Sequence, residues 1–166
     1  MSSSRPGSGR SSRARSRFDA PAGPGTYILA VRVHWETVLT VGGLGERVLA
    51  PGLYLYAGSA LGPGGLRARL GRHAGFSRSP HWHIDHLTNA SSPVEAWLHE
   101  GRERLEHEWA GALSSCGWAC GALPGFGSSD CRCPTHLFVS SVMSPWPLFR
   151  GMVRQETFRI FPERTP

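Results

Sequence analysis

Hydrophobic and polar positions change period several times along the chain, and each change marks an element. Residues 26–33, "TYILAVRV", are β-branched and aromatic and predict a strand. Residues 36–41, "ETVLTV", alternate apolar and polar, and predict a second. The turn-rich "GGLGERVLAPG" leads into a third at 53–59, "LYLYAGS". The period then becomes helical in "GLRARLGRHAG", where Leu66 and Leu70 lie i,i+4 on one face. After Pro80, "HWHIDHLTNA" predicts one or two helical turns, and 94–100 a further strand. The clearest helix is predicted at 103–113, with Leu105, Trp109, Ala112 and Leu113 as its apolar stripe. A glycine-rich loop, "PGFGSSDCRCP", precedes a last strand, "HLFVSS".

These connections are short, so antiparallel pairing is expected. The expected fold is a small α/β (α+β) domain. A mostly antiparallel sheet of three or more strands is flanked by helices. The expected domain spans residues 25–140, after a disordered basic tail at 1–24 and before a loosely docked C-terminal extension at 141–166.

Composition narrows the class. A chain of 166 residues with 40% hydrophobic content can bury one modest core. No apolar run approaches the roughly 20 residues that span a bilayer. The first residues lack the apolar centre of a secretory signal. The expectation is therefore a soluble cytoplasmic protein with no membrane partner. Net charge is +6, and Arg5, Arg10, Arg13, Arg15 and Arg17 of the tail face only Asp19. Such a tail holds polyanions through counterion release.

Charge patterning also brings chemistry into the folded part. Tyr54 and Tyr56 share one strand face, and Arg67, Arg69, Arg72 and His73 follow with no acid between them. Arginine suits a phosphate because its planar fork donates two hydrogen bonds and keeps its charge. The plainer alternative is a sheet face beside a solvated basic helix. Glu106 changes the balance. It falls on the margin of the buried helix face, whereas Glu103 and Glu108 read as surface acids. A carboxylate placed there either forms a buried ion pair or holds a hard cation such as Mg²⁺.

Two clusters compete for other metals. In "HWHIDH", His81, His83, Asp85 and His86 are close in sequence. A nucleic-acid-facing patch or a hydrogen-bonded corner is the expectation there, ahead of a metal site. Cys116, Cys120, Cys131, Cys133 and His136 carry zinc-binding side chains, but the spacings C-x₃-C and C-x-C differ from the common C-x₂-C knuckle. Reduced cysteines are the expectation, with zinc on Cys131, Cys133 and His136 as the less favoured alternative.

With these residues in view, the chain resembles the GIY-YIG nucleases. "GTY" resembles the first motif and "YAG" the second, although isoleucine is absent from both. "LRARLGRH" resembles the arginine-bearing helix, and four extra residues, "LGPG", separate it from the second motif. The nearer resemblance is to the branch known as domain of unknown function 123, some members of which are fused to endonuclease III-type glycosylases. It rests on "GLYLYAGSALGPGGLRARLGRH", "HWHIDHL", "LEHEWAGAL" and "PGFGSSDCRCPTHLF", in that order.

The resemblance implies a metal-dependent endonuclease acting on DNA, branched or damaged, with a functional link to endonuclease III-type glycosylases. The alternative is a non-catalytic nucleic-acid-binding module in DNA repair. In the family's terms Tyr27 activates the attacking water, Tyr56 orients water and phosphate, and Arg69 stabilises phosphate charge. His73 occupies a position often held by tyrosine or histidine, and Glu106 is the single ligand of Mg²⁺ or Mn²⁺. Arg67, Arg72, His81 and His83 are the expected additional nucleic-acid contacts.

Overall fold

The computed structural model describes residues 16–75 and 77–164. The strands are β1 (Ser16–Phe18), β2 (Gly25–Val33), β3 (Thr37–Val41), β4 (Gly45–Leu49), β5 (Gly52–Ser59), β6 (Ser92–Glu100), β7 (Ala119–Gly121), β8 (Leu137–Ser140), β9 (Phe158–Ile160) and β10 (Pro162–Arg164). The helices are α1 (Gly65–Ala74), α2 (His83–Ala90), α3 (Glu106–Ser115) and α4 (Trp146–Met152).

Six strands form the central sheet in the order β7-β8-β5-β2-β6-β9. Every neighbouring pair is antiparallel. The protein is thus the α+β domain expected from its pattern. β2 and β5 are buried on both faces, which explains their nearly continuous apolar sequences. One face carries Tyr27, Leu29, Val31, Tyr54 and Tyr56, packed with Leu66 and Leu70 of α1 and Ile84 and Leu87 of α2. The other carries Ile28, Ala30, Leu55, Ala57 and Trp97, packed with Trp109 and Leu113 of α3 and Phe149 of α4. The single-residue alternation of a strand therefore sends the tyrosines to the α1 side of the sheet.

Several expectations are corrected. The turn-rich stretch before β5 contains β4, which pairs with β3 in a separate hairpin and exposes Val38 and Val48 as cross-strand partners. α3 begins at Glu106, not 103, and its buried face uses Ala110 where Ala112 was expected. The segment after Ser141 is not loosely docked. Phe149 is fully buried among the rings of Trp97 and Trp109, and β9 forms the sheet edge beside β6. Disorder was expected through residue 24. Residues 1–15 lie outside the described residues, but β1 pairs with β10, and Phe18 and Ala20 are buried. Among the described residues no helix is long and apolar enough to cross a membrane.

Candidate functional site

The geometry of the site begins at a missing side chain. Tyr27 of β2 stands opposite Gly58 of β5. A Cβ on Gly58 would lie 2.5 Å from Tyr27 Cζ and Oη and 2.9 Å from Tyr56 Cε1. Glycine therefore lets both tyrosines close over the strand, with ring centroids 6.4 Å apart. Gly127 does the same from the loop at residues 122–136. Its φ is +73°, and a Cβ there would meet Tyr56 Cε2 at 2.7 Å.

Behind Tyr27 lies a buried polar chain. The Tyr27 hydroxyl is 2.9 Å from His73 Nε2, and His73 Nδ1 is 3.1 Å from Asp85 Oδ1. Asp85 Oδ2 accepts from Arg72 Nε at 3.1 Å and Nη2 at 2.9 Å. It also accepts from the amides of His81 and Trp82 at 3.0 and 3.2 Å, closing the first turn of α2. Burial opposes the Asp85 charge, but its bonds from His73, Arg72 and the two amides overcome that, holding the carboxyl well below its usual range. Burial lowers the pKa of His73 despite Asp85, with Arg69 and Arg72 acting in the same direction as burial. The ring is thus neutral at pH 7, with its Nδ1–H donating to the carboxylate. Nε2 is then an acceptor, and the Tyr27 hydroxyl is the donor.

In front of the tyrosines an open cleft of about 380 Å³ is lined by Tyr27, Tyr56, Arg69, His81, His83 and Glu106, among others. Each of these six was expected at the site from sequence. His73 was too, but it is fully buried and supports Tyr27 from behind. Arg67 and Arg72 are placed differently. Arg67 Nε donates to Ala20 O at 2.9 Å, and Arg72 is held by Asp85. Arg72 and Arg69 share a smaller neighbouring cleft of about 220 Å³ with Trp82. Both guanidinium groups stack on Trp82, with Cζ 3.9 Å (Arg69) and 4.7 Å (Arg72) from the ring centroid. The "HWHIDH" stretch therefore forms the hydrogen-bonded corner. His83 Nδ1 accepts from the Gly127 amide at 3.0 Å, and His81 faces the cleft.

Glu106 opens α3 on the cleft's other wall. Its Oε1 is 3.8 Å from Arg104 Nη1 and 3.7 Å from His107 Nε2. Its Oε2 is buried without any hydrogen-bond partner. Trp97 Nε1 and Thr157 Oγ1 are likewise unpartnered among the described residues, but neither lines the cleft. Glu106 lines the cleft, and a carboxylate there with one oxygen left without a hydrogen bond fits a hard-cation ligand. Burial raises the pKa of Tyr27 and Tyr56 well above the ordinary phenol, so both are protonated at neutral pH.

Sequence reasoning passed over Trp82, Arg104, His107 and Asp130 as site residues. Trp82 carried a signal, an aromatic between two histidines just before a helix. His107 directly follows Glu106 in the first turn of α3. Its ring meets that of His136 with centroids 5.4 Å apart. Cys131 and Cys133 lie beside them, whereas Cys116 and Cys120 stand outside this group.

No curated protein and no solved structure matches the chain. The match to a protein family spans residues 26–155, most of the sequence, including both tyrosines, α1, α2, α3 and the cysteine-bearing loop. The chain therefore belongs to the family described as Domain of unknown function DUF123.

Proposed function

We propose that the protein is a metal-dependent endonuclease of the GIY-YIG type that hydrolyses DNA phosphodiester bonds. The observation that carries this reading is Glu106, which lines the same cleft as Tyr27, Tyr56 and Arg69 and whose buried Oε2 has no hydrogen-bond partner. These four side chains come from α3, β2, β5 and α1, so only the fold brings them together. Glu106 would hold Mg²⁺ or Mn²⁺, which would supply Lewis-acid stabilisation of the charge developing on the leaving oxygen.

The chain's own groups divide the remaining tasks. Arg69, braced on Trp82, offers its fork to a phosphate entering the cleft. Tyr27 directs its proton to His73 and so leaves its oxygen lone pairs for a water in the cleft. It orients that water as a phenol and passes a proton inward to His73 when the water attacks. Asp85 stabilises the imidazolium that results. Tyr56 fixes the second side of the water and phosphate.

One observation favours the alternative, a nucleic-acid-binding module without turnover. Both tyrosines are held protonated by burial, which suits contact with a phosphate as well as it suits catalysis. The test is the purified full chain with Mg²⁺ or Mn²⁺ against labelled branched, nicked and single-stranded DNAs. Cleavage by the wild type that Glu106→Gln abolishes, with DNA affinity retained, supports the enzyme. Salt-sensitive binding without cleavage by any cation supports the module.

A further inference from the structure

We propose that His107, Cys131, Cys133 and His136 form a structural zinc site beside the cleft, independent of any nuclease activity. One ligand atom from each of the four lies within 4.8 Å of all the others. Cys131 Sγ is 3.4 Å from His136 Nε2, and Cys133 Sγ is 3.5 Å from His107 Nδ1. A zinc ion with Zn–S of about 2.3 Å and Zn–N of about 2.0–2.1 Å places tetrahedral S and N ligands about 3.6 Å apart. The two measured sulfur–nitrogen edges are therefore close to those of a filled tetrahedron.

The surroundings point the same way. A ligating histidine normally donates its other ring N–H to a carbonyl or carboxylate, which fixes the tautomer. His136 Nδ1 is 3.2 Å from Ala57 O, which leaves Nε2, the atom facing Cys131, free to ligate. His107 uses Nδ1 toward Cys133, and its Nε2 lies 3.7 Å from Glu106 Oε1. Both rings thus turn a nitrogen toward the cluster, and in His136 the other nitrogen is already bound to a carbonyl. Two thiolates and two imidazoles select zinc over the hard cations, which take oxygen. Four protein ligands close the coordination sphere, so the site is structural, with no position left for water.

The fold gives such a site a task. Residues 122–136 join β7 to β8 with no strand or α-helix of their own. They carry Gly127 and Asp130 into the cleft. Three ligands lie on or at the end of this loop, and the fourth is in the first turn of α3, one residue past Glu106. Zinc would pin the loop to α3 and fix the cleft's width. The C-x-C spacing gave a weak signal because the fourth ligand comes from a helix distant in sequence.

Metal content and cobalt spectroscopy test the proposal on the full chain, purified reduced and without chelator. About one zinc per chain is expected by elemental analysis. It should fall to near zero in Cys131→Ser and Cys133→Ser and persist in Cys120→Ser. Should a serine variant fail to fold, Co²⁺ titration of the chelator-treated wild type decides alone. The expected spectrum has strong visible bands of tetrahedral cobalt and thiolate charge transfer in the near ultraviolet. Binding of Co²⁺ without thiolate charge transfer, no uptake of either metal, or zinc retained by the folded Cys131→Ser/Cys133→Ser variant would overturn the proposal.

Discussion

Tyr27 donates its hydroxyl proton to His73 Nε2 at 2.9 Å, across 46 residues of sequence. The direction is set from the far side of the ring, where Asp85 is an acceptor only and claims the Nδ1 proton. A residue that looks like a strand aromatic in sequence is in fact the outer end of a buried Tyr-His-Asp chain. Its hydroxyl is aligned by groups that never touch the cleft's solvent.

Tyr27→Phe separates alignment from packing. The ring stays in its slot over Gly58, so the fold is expected to persist. His73 Nε2 loses its donor, at an expected cost of about 1–2 kcal/mol in urea denaturation. On the proposed chemistry, cleavage falls about a hundredfold or more, while DNA affinity stays within about twofold. Cleavage at the wild-type rate would remove Tyr27 from the reaction.

Gly58→Ala tests whether the tyrosine pair depends on a bare backbone. The added methyl meets Tyr27 at 2.5 Å, and that ring is buried in the sheet face, so it must shift to make room. Destabilisation of about 1–3 kcal/mol is expected. Loss of near-ultraviolet circular dichroism from displaced aromatics should accompany it. Gly62→Ala has open space around its Cβ and serves as the control.

Sequence made parts of this arrangement legible. The central strands β2 and β5 were readable because each buries a nearly continuous apolar run, and α1 because Leu66 and Leu70 fall i,i+4 on its buried face. Glu106 was readable because a helix margin can be computed from spacing, and the residue is buried. β4 was not readable, since its Gly-Glu-Arg-Val-Leu sequence buries only Leu49 and resembles a turn. The split among the arginines was also hidden. Arg67, Arg69 and Arg72 look equivalent on a helix, and only the tertiary partners Ala20, Trp82 and Asp85 tell them apart.

Stability should fall on mild acidification because of His73. The groups facing it are Tyr27 from β2, Asp85 from α2, and Arg69 and Arg72 on its own helix. Burial lowers its pKa in the folded state, so between that value and the unfolded value of about 6.5 the unfolded chain binds more protons. The contribution is full above about pH 6.5 and declines as pH falls, with a slope of at most about 1.4 kcal/mol per pH unit. His83, also lowered by burial, adds to the measured slope. His73→Gln should flatten the profile between about pH 7 and 5 relative to wild type. Identical slopes in the two proteins would show that His73 is not a linked proton site.

The last expectation separates the helix α1 arginines by their tasks. Arg69 lines the cleft and is braced against Trp82, so its charge is free to meet a phosphate. Arg67 spends its Nε–H on the Ala20 carbonyl and ties α1 to the segment after β1. Arg69→Ala should reduce the slope of log affinity against log salt by about 0.7–0.9, the loss of one phosphate contact, with little change in stability. Arg67→Ala should do the reverse, costing about 1 kcal/mol of folding stability and leaving the salt slope intact. The pair of measurements needs no nuclease activity, so it remains informative if the protein only binds. A salt slope lowered by Arg67→Ala and untouched by Arg69→Ala would move the phosphate path off the tyrosine cleft. It would then run along the outer face of α1.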